Sequence, residues 1–248
     1  MELNHFKNLN KKRSNAIFLG CGESINNLTK DQIEFINSNF DIWTSNNFII
    51  NSELIPDFYH MEIKHHRNGP LISRLCAQKK EIYKNVSWII DQTRPYILNY
   101  IKPVDYDLKN IYIYPKVYRK EEHGRYNVQE SVSVSCNASL TVISDIILRQ
   151  KYDCIYFLGV DMNNSKYFWT NNEKYKNVEI ESIMKTCKPD ERKPSDLHPT
   201  FKLQSYLPEF FNYNSQYCVN LSSSSLLSKI MVTKSIKDVM NEYKWNKI

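Results

Sequence analysis

Short apolar runs bounded by polar residues alternate along this chain with stretches whose apolar positions recur at helical spacing. The first pattern reads as strands and the second as amphipathic helices. Strands are predicted at residues 16–20, 41–45, 56–61, 86–91, 111–114, 153–159 and 217–220. Thr29-Lys30-Asp31-Gln32 has the capping-box form and heads a helix through Ile33, Phe35 and Ile36. Leu140, Ile143, Ile146 and Ile147 fall on one face of a helix over 139–150, and further helices are predicted at 200–211, 225–231 and 235–244. This βαβ alternation predicts an α/β fold: a mostly parallel sheet flanked by helices.

Residues 162–197 break the alternation, being polar, rich in Asn and Lys, and carrying Pro189 and Pro194. A stretch of about 35 residues without periodicity is too long for an ordinary connection. Long irregular segments at a ligand edge commonly act as lids. The expectation is one domain over 1–248, with 162–197 as its lid insertion. No internal repeat is visible, and Ser222–Ser225 is the one low-complexity spot.

Hydrophobic residues make up 42% of the chain and aromatics 13%, enough for a real core. The net charge of +6 (33 basic minus 27 acidic) is scattered, with short clusters at Lys11-Lys12-Arg13 and Lys64-His65-His66-Arg67. A nucleic-acid partner would call for a denser stripe, so none is expected. A basic rim suits a phosphate, a carboxylate or an anionic glycan instead. The six cysteines form no Cys-x-x-Cys pair, so zinc spacing is absent, and Cys154 and Cys218 read as buried thiols inside apolar runs. Residues 1–15 are polar and no 18-residue apolar run occurs. The expected location is the cytoplasm, with reduced cysteines.

Only five glycines occur, against a usual share of about 7%, and three of them end predicted strands. Gly20-Cys21-Gly22-Glu23-Ser24 follows the first strand; its N–H groups could cradle a phosphate or simply make a tight turn. Gly159 closes another strand and leads to Asp161. Asn46 and Asn47, after the second strand, could bind sugar hydroxyls or a base through paired donors and acceptors, or form an Asx turn. Asn137 and Ser139 head the 139–150 helix as caps or as ligands for an anion. His198 stands between the lid and a helix that Pro199 would open, where an imidazole titrating near ~6.5 could serve as general base. Asp105-Tyr106-Asp107 has the form of a metal-holding Asp-x-Asp motif but sits in a polar connector and reads as a loop. His60, His65 and His66 lack a partner carboxylate at ligand spacing, so no metal is expected.

Taken in order, these segments resemble glycosyltransferase family 42, the bacterial sialyltransferases that modify lipooligosaccharide. The family's Gly-Asn-Gly-Pro-Ser-Leu turn is similar to Gly20-Cys21-Gly22-Glu23-Ser24-Ile25. Its Cys-Asn-Gln-Phe strand end resembles Ser45-Asn46-Asn47-Phe48, and its Phe-Tyr-Asn strand end resembles Phe58-Tyr59-His60. Its Thr-Ser-Gly helix head is matched by Ala138-Ser139-Leu140, and Ser-Gly-Ile-Asp-Phe by Leu158-Gly159-Val160-Asp161-Met162. His198-Pro199 stands where the family has His-Ser, and Leu221–Leu227 resembles its last segment, with Ser225-Leu226-Leu227 in register. The likeness covers residues 16 to about 230.

The resemblance implies a Rossmann-like, GT-A-variant fold and an inverting, metal-independent transfer. A nonulosonic acid would move from a CMP-activated donor, a co-substrate rather than a cofactor, to an oligosaccharide or glycolipid acceptor. It implies Gly20, Cys21, Gly22, Ser24, Asn46, Asn47, Asn137 and Gly159 near the nucleotide, Ser139 near the donor sugar, and His198 as base. Tyr167 matches one of the family's phosphate-holding lid tyrosines; Met162-Asn163 stands where the other should be. Cys21 replaces the family's asparagine, and the arginine before Thr-Ser has no counterpart. These departures bear on the donor sugar, since CMP also activates Kdo. A retaining CMP-Kdo transferase would use Asp161 as nucleophile. His-Pro also contacts phosphate in other sialyltransferase families, so by that resemblance His198-Pro199 could bind CMP rather than supply the base. A magnesium- and ATP-dependent pterin diphosphokinase-like enzyme, employing Asp105 and Asp107, and a non-catalytic glycan-binding module are the remaining alternatives. A lipid-linked acceptor would bring peripheral membrane contact, although the 235–244 helix carries only Lys237 and Lys244 as basic residues. A homo-oligomer is compatible with this reading.

Overall fold

Strand residues of this chain alternate between two apolar faces, and that alternation sets the architecture. The computed structural model describes residues 3–51, 53–61, 69–92, 95–114, 116–117, 133–134, 139–162, 167–170, 172–175, 211 and 215–245. In chain order the strands are β1 (Asn4–His5), β2 (Asn15–Leu19), β3 (Asp41–Ser45), β4 (Phe58–Met61), β5 (Ser87–Asp91) and β6 (Asn110–Tyr114). They continue as β7 (Lys116–Val117), β8 (Ser133–Val134), β9 (Cys154–Leu158), β10 (Cys218–Asn220) and β11 (Val232–Thr233). The helices are α1 (Lys30–Asn39), α2 (Gly69–Gln78), α3 (Lys80–Tyr83), α4 (Leu98–Ile101), α5 (Ser139–Arg149) and α6 (Ile236–Trp245).

Nine strands form one sheet in the order β1-β6-β5-β4-β3-β2-β9-β10-β11, and every pairing is parallel. β7 and β8 pair separately. From β2 the chain steps outward through β3, β4, β5 and β6, then returns to place β9 on the other flank of β2. The gap between the carboxyl ends of β2 and β9 is therefore the point where the winding reverses. In doubly wound sheets such a point opens a crevice for ligands.

Two cores cover the two faces. Ile17, Leu19, Ile42, Tyr59, Met61, Trp88 and Ile90 join Ile36 of α1, Leu75 of α2, Ile101 of α4 and Val239 of α6. Ala16, Phe18, Trp43, Phe58, Ile89 and Phe157 join Val142, Ile143, Ile146 and Ile147 of α5. Burial on both faces is what keeps an all-parallel sheet out of water. Thr29 and Gln32 complete the expected capping box of α1. Phe35 and Phe40 then meet Tyr243 of α6 at ring separations of 5.3 and 5.5 Å.

All seven predicted strands are present. The predicted 225–231 helix is a single 3₁₀ turn, Leu226–Lys229, because β11 begins at Val232. α5 buries more than its predicted apolar face: Thr141, Ser144 and Asp145 are buried too, and Asp145 pairs with Arg149 at 2.8 Å. Cys218 is buried as expected, whereas Cys154, the first residue of β9, is only half-buried. Apart from Phe211, which is buried, the predicted 200–211 helix lies outside the described residues, as does most of 162–197.

Where the amino ends of the strands meet, Tyr152 donates to Asp41 Oδ2 at 2.8 Å and accepts from Trp43 Nε1 at 3.2 Å. Burial pushes the Asp41 carboxyl above its ordinary value. The folded chain thus holds this proton more tightly than the unfolded one. The stability this group contributes falls as pH rises from 3.8 through the raised value. Tyr152→Phe removes a donor to the ionised carboxylate and orphans the indole N–H, at a cost of about 1–3 kcal/mol. Urea unfolding is expected to show a larger loss at pH 7 than at pH 4.

Candidate functional site

The carboxyl edge is organised by three glycines that let two loops touch. Gly20 N donates to Leu158 O at 2.8 Å, and Gly22 N donates to Gly159 O at 2.7 Å. A Cβ on Gly20 would collide with the Gly159 carbonyl, and one on Gly22 with the Asp161 carboxylate. Gly159 sits at φ +72°, and its Cβ would lie 2.5 Å from Gly20 O. These positions are glycine because β2 and β9 run side by side and continue into loops with no space for a side chain between them.

Asp161 completes the junction. It is 4% exposed, and it accepts from Ser24 N at 2.9 Å and Ser24 Oγ at 2.6 Å. Ser24 Oγ in turn accepts from Gly159 N at 3.2 Å. The Asp161 carboxylate therefore occupies the start of the 3₁₀ turn Glu23–Asn27, the position at which a bound phosphate would otherwise face the N–H groups. The N–H groups of Gly20, Gly22 and Ser24 are all committed to the β9 loop.

The loop after β10 closes over the same carboxylate. Ser222 Oγ approaches Asp161 Oδ1 at 3.5 Å, Leu226 N donates to Asp161 O at 3.2 Å, and Ser225 Oγ donates to Val160 O. Reading Ser222–Ser225 as low complexity missed this role. A run of small hydroxyl residues directly after a strand was the signal available.

Asn46 follows β3 in the left-handed region at φ 52°, which Asn tolerates better than most residues. Tyr59 fixes that turn by donating to Asn46 O and accepting from Ile49 N at 3.1 Å. Burial raises the Tyr59 hydroxyl well above its ordinary value. Lys79 closes the same 3₁₀ turn, donating to Ile49 O at 2.5 Å and Asn51 O at 2.7 Å, and burial brings its amine down to about 8. The Asn47 Oδ1 atom is buried and has no hydrogen-bond partner among the described residues.

One described piece of the expected lid docks here. Tyr167 bridges Gly22, Phe168 N donates to Cys21 O at 3.0 Å, and Asn26 Nδ2 donates to Phe168 O at 2.9 Å. Cys21 lies 3.9 Å from Ser45 O, and burial pushes its thiol up to about 12. Phe168 packs on Phe48, so the first turn, the Asn46–Ile50 turn and residues 167–169 meet in one place. Beside them lies a cleft of about 650 Å³. Ile25, Leu28 and Leu54 line it with Asn172, Lys174 and Tyr175, and Lys174 pairs with Glu53 on its rim.

The structure thus gathers Gly20, Cys21, Gly22, Ser24, Asn46, Asn47, Gly159, Asp161 and Tyr167 at one edge. Ser139 begins α5, which leads back to the amino end of β9, so its head points toward that same edge. Asn137, Asn163 and His198 lie outside the described residues. Asp105 and Asp107 are exposed in the connection that enters β6, at the opposite edge of the sheet, where Lys109 N donates to Lys84 O. Among the described residues no group of three or more His, Cys, Asp or Glu could hold a metal ion, and no helix is long and apolar enough to cross a membrane.

Fold and edge together define a doubly wound, Rossmann-like α/β protein. Compared with protein families, with curated proteins and with solved structures, the chain matches none.

Gly159→Ala is expected to cost at least about 1–3 kcal/mol, since it adds a left-handed penalty to a backbone clash. Ser24→Ala, which takes the 2.6 Å donor from a buried carboxylate, is expected to cost a similar ~1–3 kcal/mol. Denaturant titration checks both.

Proposed function

We propose that the chain is an inverting glycosyltransferase that moves a nonulosonic acid from a CMP-activated donor to a saccharide acceptor, without a metal. The observation that carries this reading is the convergence, at the point where the winding reverses, of the Gly20–Ser24 turn, Asn46, Asn47, Gly159 and Tyr167. These segments are far apart in the chain and are the ones whose order resembles the sialyltransferase family. The buried Asn47 Oδ1 adds support. A buried amide oxygen without a donor is uncommon, and the amino group of a base or a sugar hydroxyl would satisfy it.

In this mechanism the acceptor hydroxyl attacks the anomeric carbon as CMP departs with the bonding electrons. His198 takes the hydroxyl proton, as a neutral imidazole does in general-base catalysis. Hydrogen-bond donors at the edge stabilise the phosphate as charge builds on it. Asp161 is given a positioning role: both its oxygens are engaged inside the chain and it is buried. A retaining mechanism would have to release it from Ser24 before it could attack a sugar. Asp105 and Asp107, at the far edge, lend nothing to a magnesium-ATP reaction at this site. A lipid-linked acceptor would place the protein at a membrane surface.

The test is CMP release from CMP-sialic acid and from CMP-Kdo, each with EDTA and with magnesium. Release from one donor in EDTA is the expected result. ATP turnover that requires magnesium, with neither CMP-sugar consumed, would sink the proposal. His198→Ala is expected to lower turnover by about 10²–10⁴-fold while CMP affinity holds. An equal loss of affinity would move His198 to phosphate binding.

A further inference from the structure

We infer that Tyr167 works through its ring, as a stacking platform for the nucleobase of a bound nucleotide. This rests on the proposal that a nucleotide sits at the carboxyl edge. It differs from that proposal in what it asks of Tyr167, which the family resemblance would make a hydroxyl donor to phosphate.

The geometry is that of a prepared surface. Tyr167 and Trp169 lie parallel, with ring centroids 4.6 Å apart and an interplanar angle of 8°. Trp169 is 5% exposed, whereas Tyr167 is 38% exposed. An aromatic pair formed only for packing would gain more by burying both rings. The lower ring is fixed by its neighbours: Phe168 meets Trp169 edge-on at 4.8 Å and is itself held against Phe48 and Tyr175 at 5.5 and 5.2 Å. The upper ring is fixed by the backbone. Thr170 N donates to Tyr167 O at 2.9 Å, Thr170 Oγ1 accepts from Tyr167 N at 3.2 Å, and Tyr167 bridges Gly22. Ordering costs for the platform are thus met before any ligand arrives.

Position selects the ligand. The platform stands next to the Gly20–Ser24 turn and the Asn46–Ile50 turn, at the crevice where doubly wound sheets bind nucleotides. A nucleobase has a π-face and aromatic side chains stack on it. A saccharide acceptor in the adjacent cleft would instead face Asn172, Lys174 and Tyr175.

Isothermal titration with CMP, UMP and AMP, on wild type, Tyr167→Phe and Tyr167→Leu, separates the possibilities. Tyr167→Phe is expected to bind within about twofold of wild type, and Tyr167→Leu about tenfold or more weaker. Two outcomes overturn the inference: Tyr167→Phe losing as much as Tyr167→Leu, which would assign the hydroxyl, or Tyr167→Leu binding like wild type. CMP binding that ignores the ring would leave the nucleotide proposal standing and remove the platform. Ring-dependent binding of UMP or AMP alone would keep the platform and remove the CMP donor. No binding of any nucleotide defeats both. Should Tyr167→Leu fail to fold, Tyr167→Gln, which also removes the ring, takes its place with the same two readings.

Discussion

The contact between the loops leaving β2 and β9 is the constraint on which the rest of the carboxyl edge depends. Glycines at 20, 22 and 159 allow backbone to touch backbone, and the Asp161–Ser24 hydrogen bonds lock the approach. With any side chain on these glycines the two loops would separate. The 3₁₀ turn Glu23–Asn27 would shift with them, and so would Cys21 and Gly22, which anchor residues 167–168. The register of β2 against β9, fixed over five residue pairs, delivers the loops to each other.

That junction also reorders the reading of a glycine-rich turn after a first strand. Such a turn is often taken as a phosphate cradle, because its N–H groups are free. Here alternate N–H groups serve the β9 loop, and a carboxylate of the chain itself sits at the turn. A ligand at this edge would be recognised mainly by what surrounds the turn: the Asn46–Ile50 segment, held by Tyr59 and Lys79, and the aromatic group around Phe168. The buried Asp161 acts as a fastener whose value lies in position.

Five of the strands, β2, β3, β4, β5 and β9, were legible because each carries four or five buried residues in a row; β6 and β10, with two buried residues each, were legible from short apolar runs bounded by polar residues. The Thr29–Gln32 cap was legible because it is local. β1 and β11 were not, since two residues cannot display a period. α2 went unread although Ile72, Leu75 and Cys76 carry a helical spacing and become buried. A short helix entered through Gly69-Pro70 announces a turn as strongly as a helix. At the site, Gly20, Gly22, Gly159 and Asp161 were marked by strand ends and Ser222 and Ser225 by a run of small hydroxyl residues after one, while Lys79 and Trp169 carried no local signature.

The sequence by itself determined the class of fold and the strand ends at which chemistry would be sought, because periodicity and glycine placement are local properties of the chain. Tertiary structure decided which strand ends become neighbours. The return of β9 to the flank of β2 sets Asp161 against Ser24 across 137 residues and Tyr167 against Gly22. Asp105 and Asp107 lie at the opposite edge because the connection that carries them enters β6 at its amino end. Such pairings depend on how parallel strands are wound between two helical layers, and no local pattern encodes that winding.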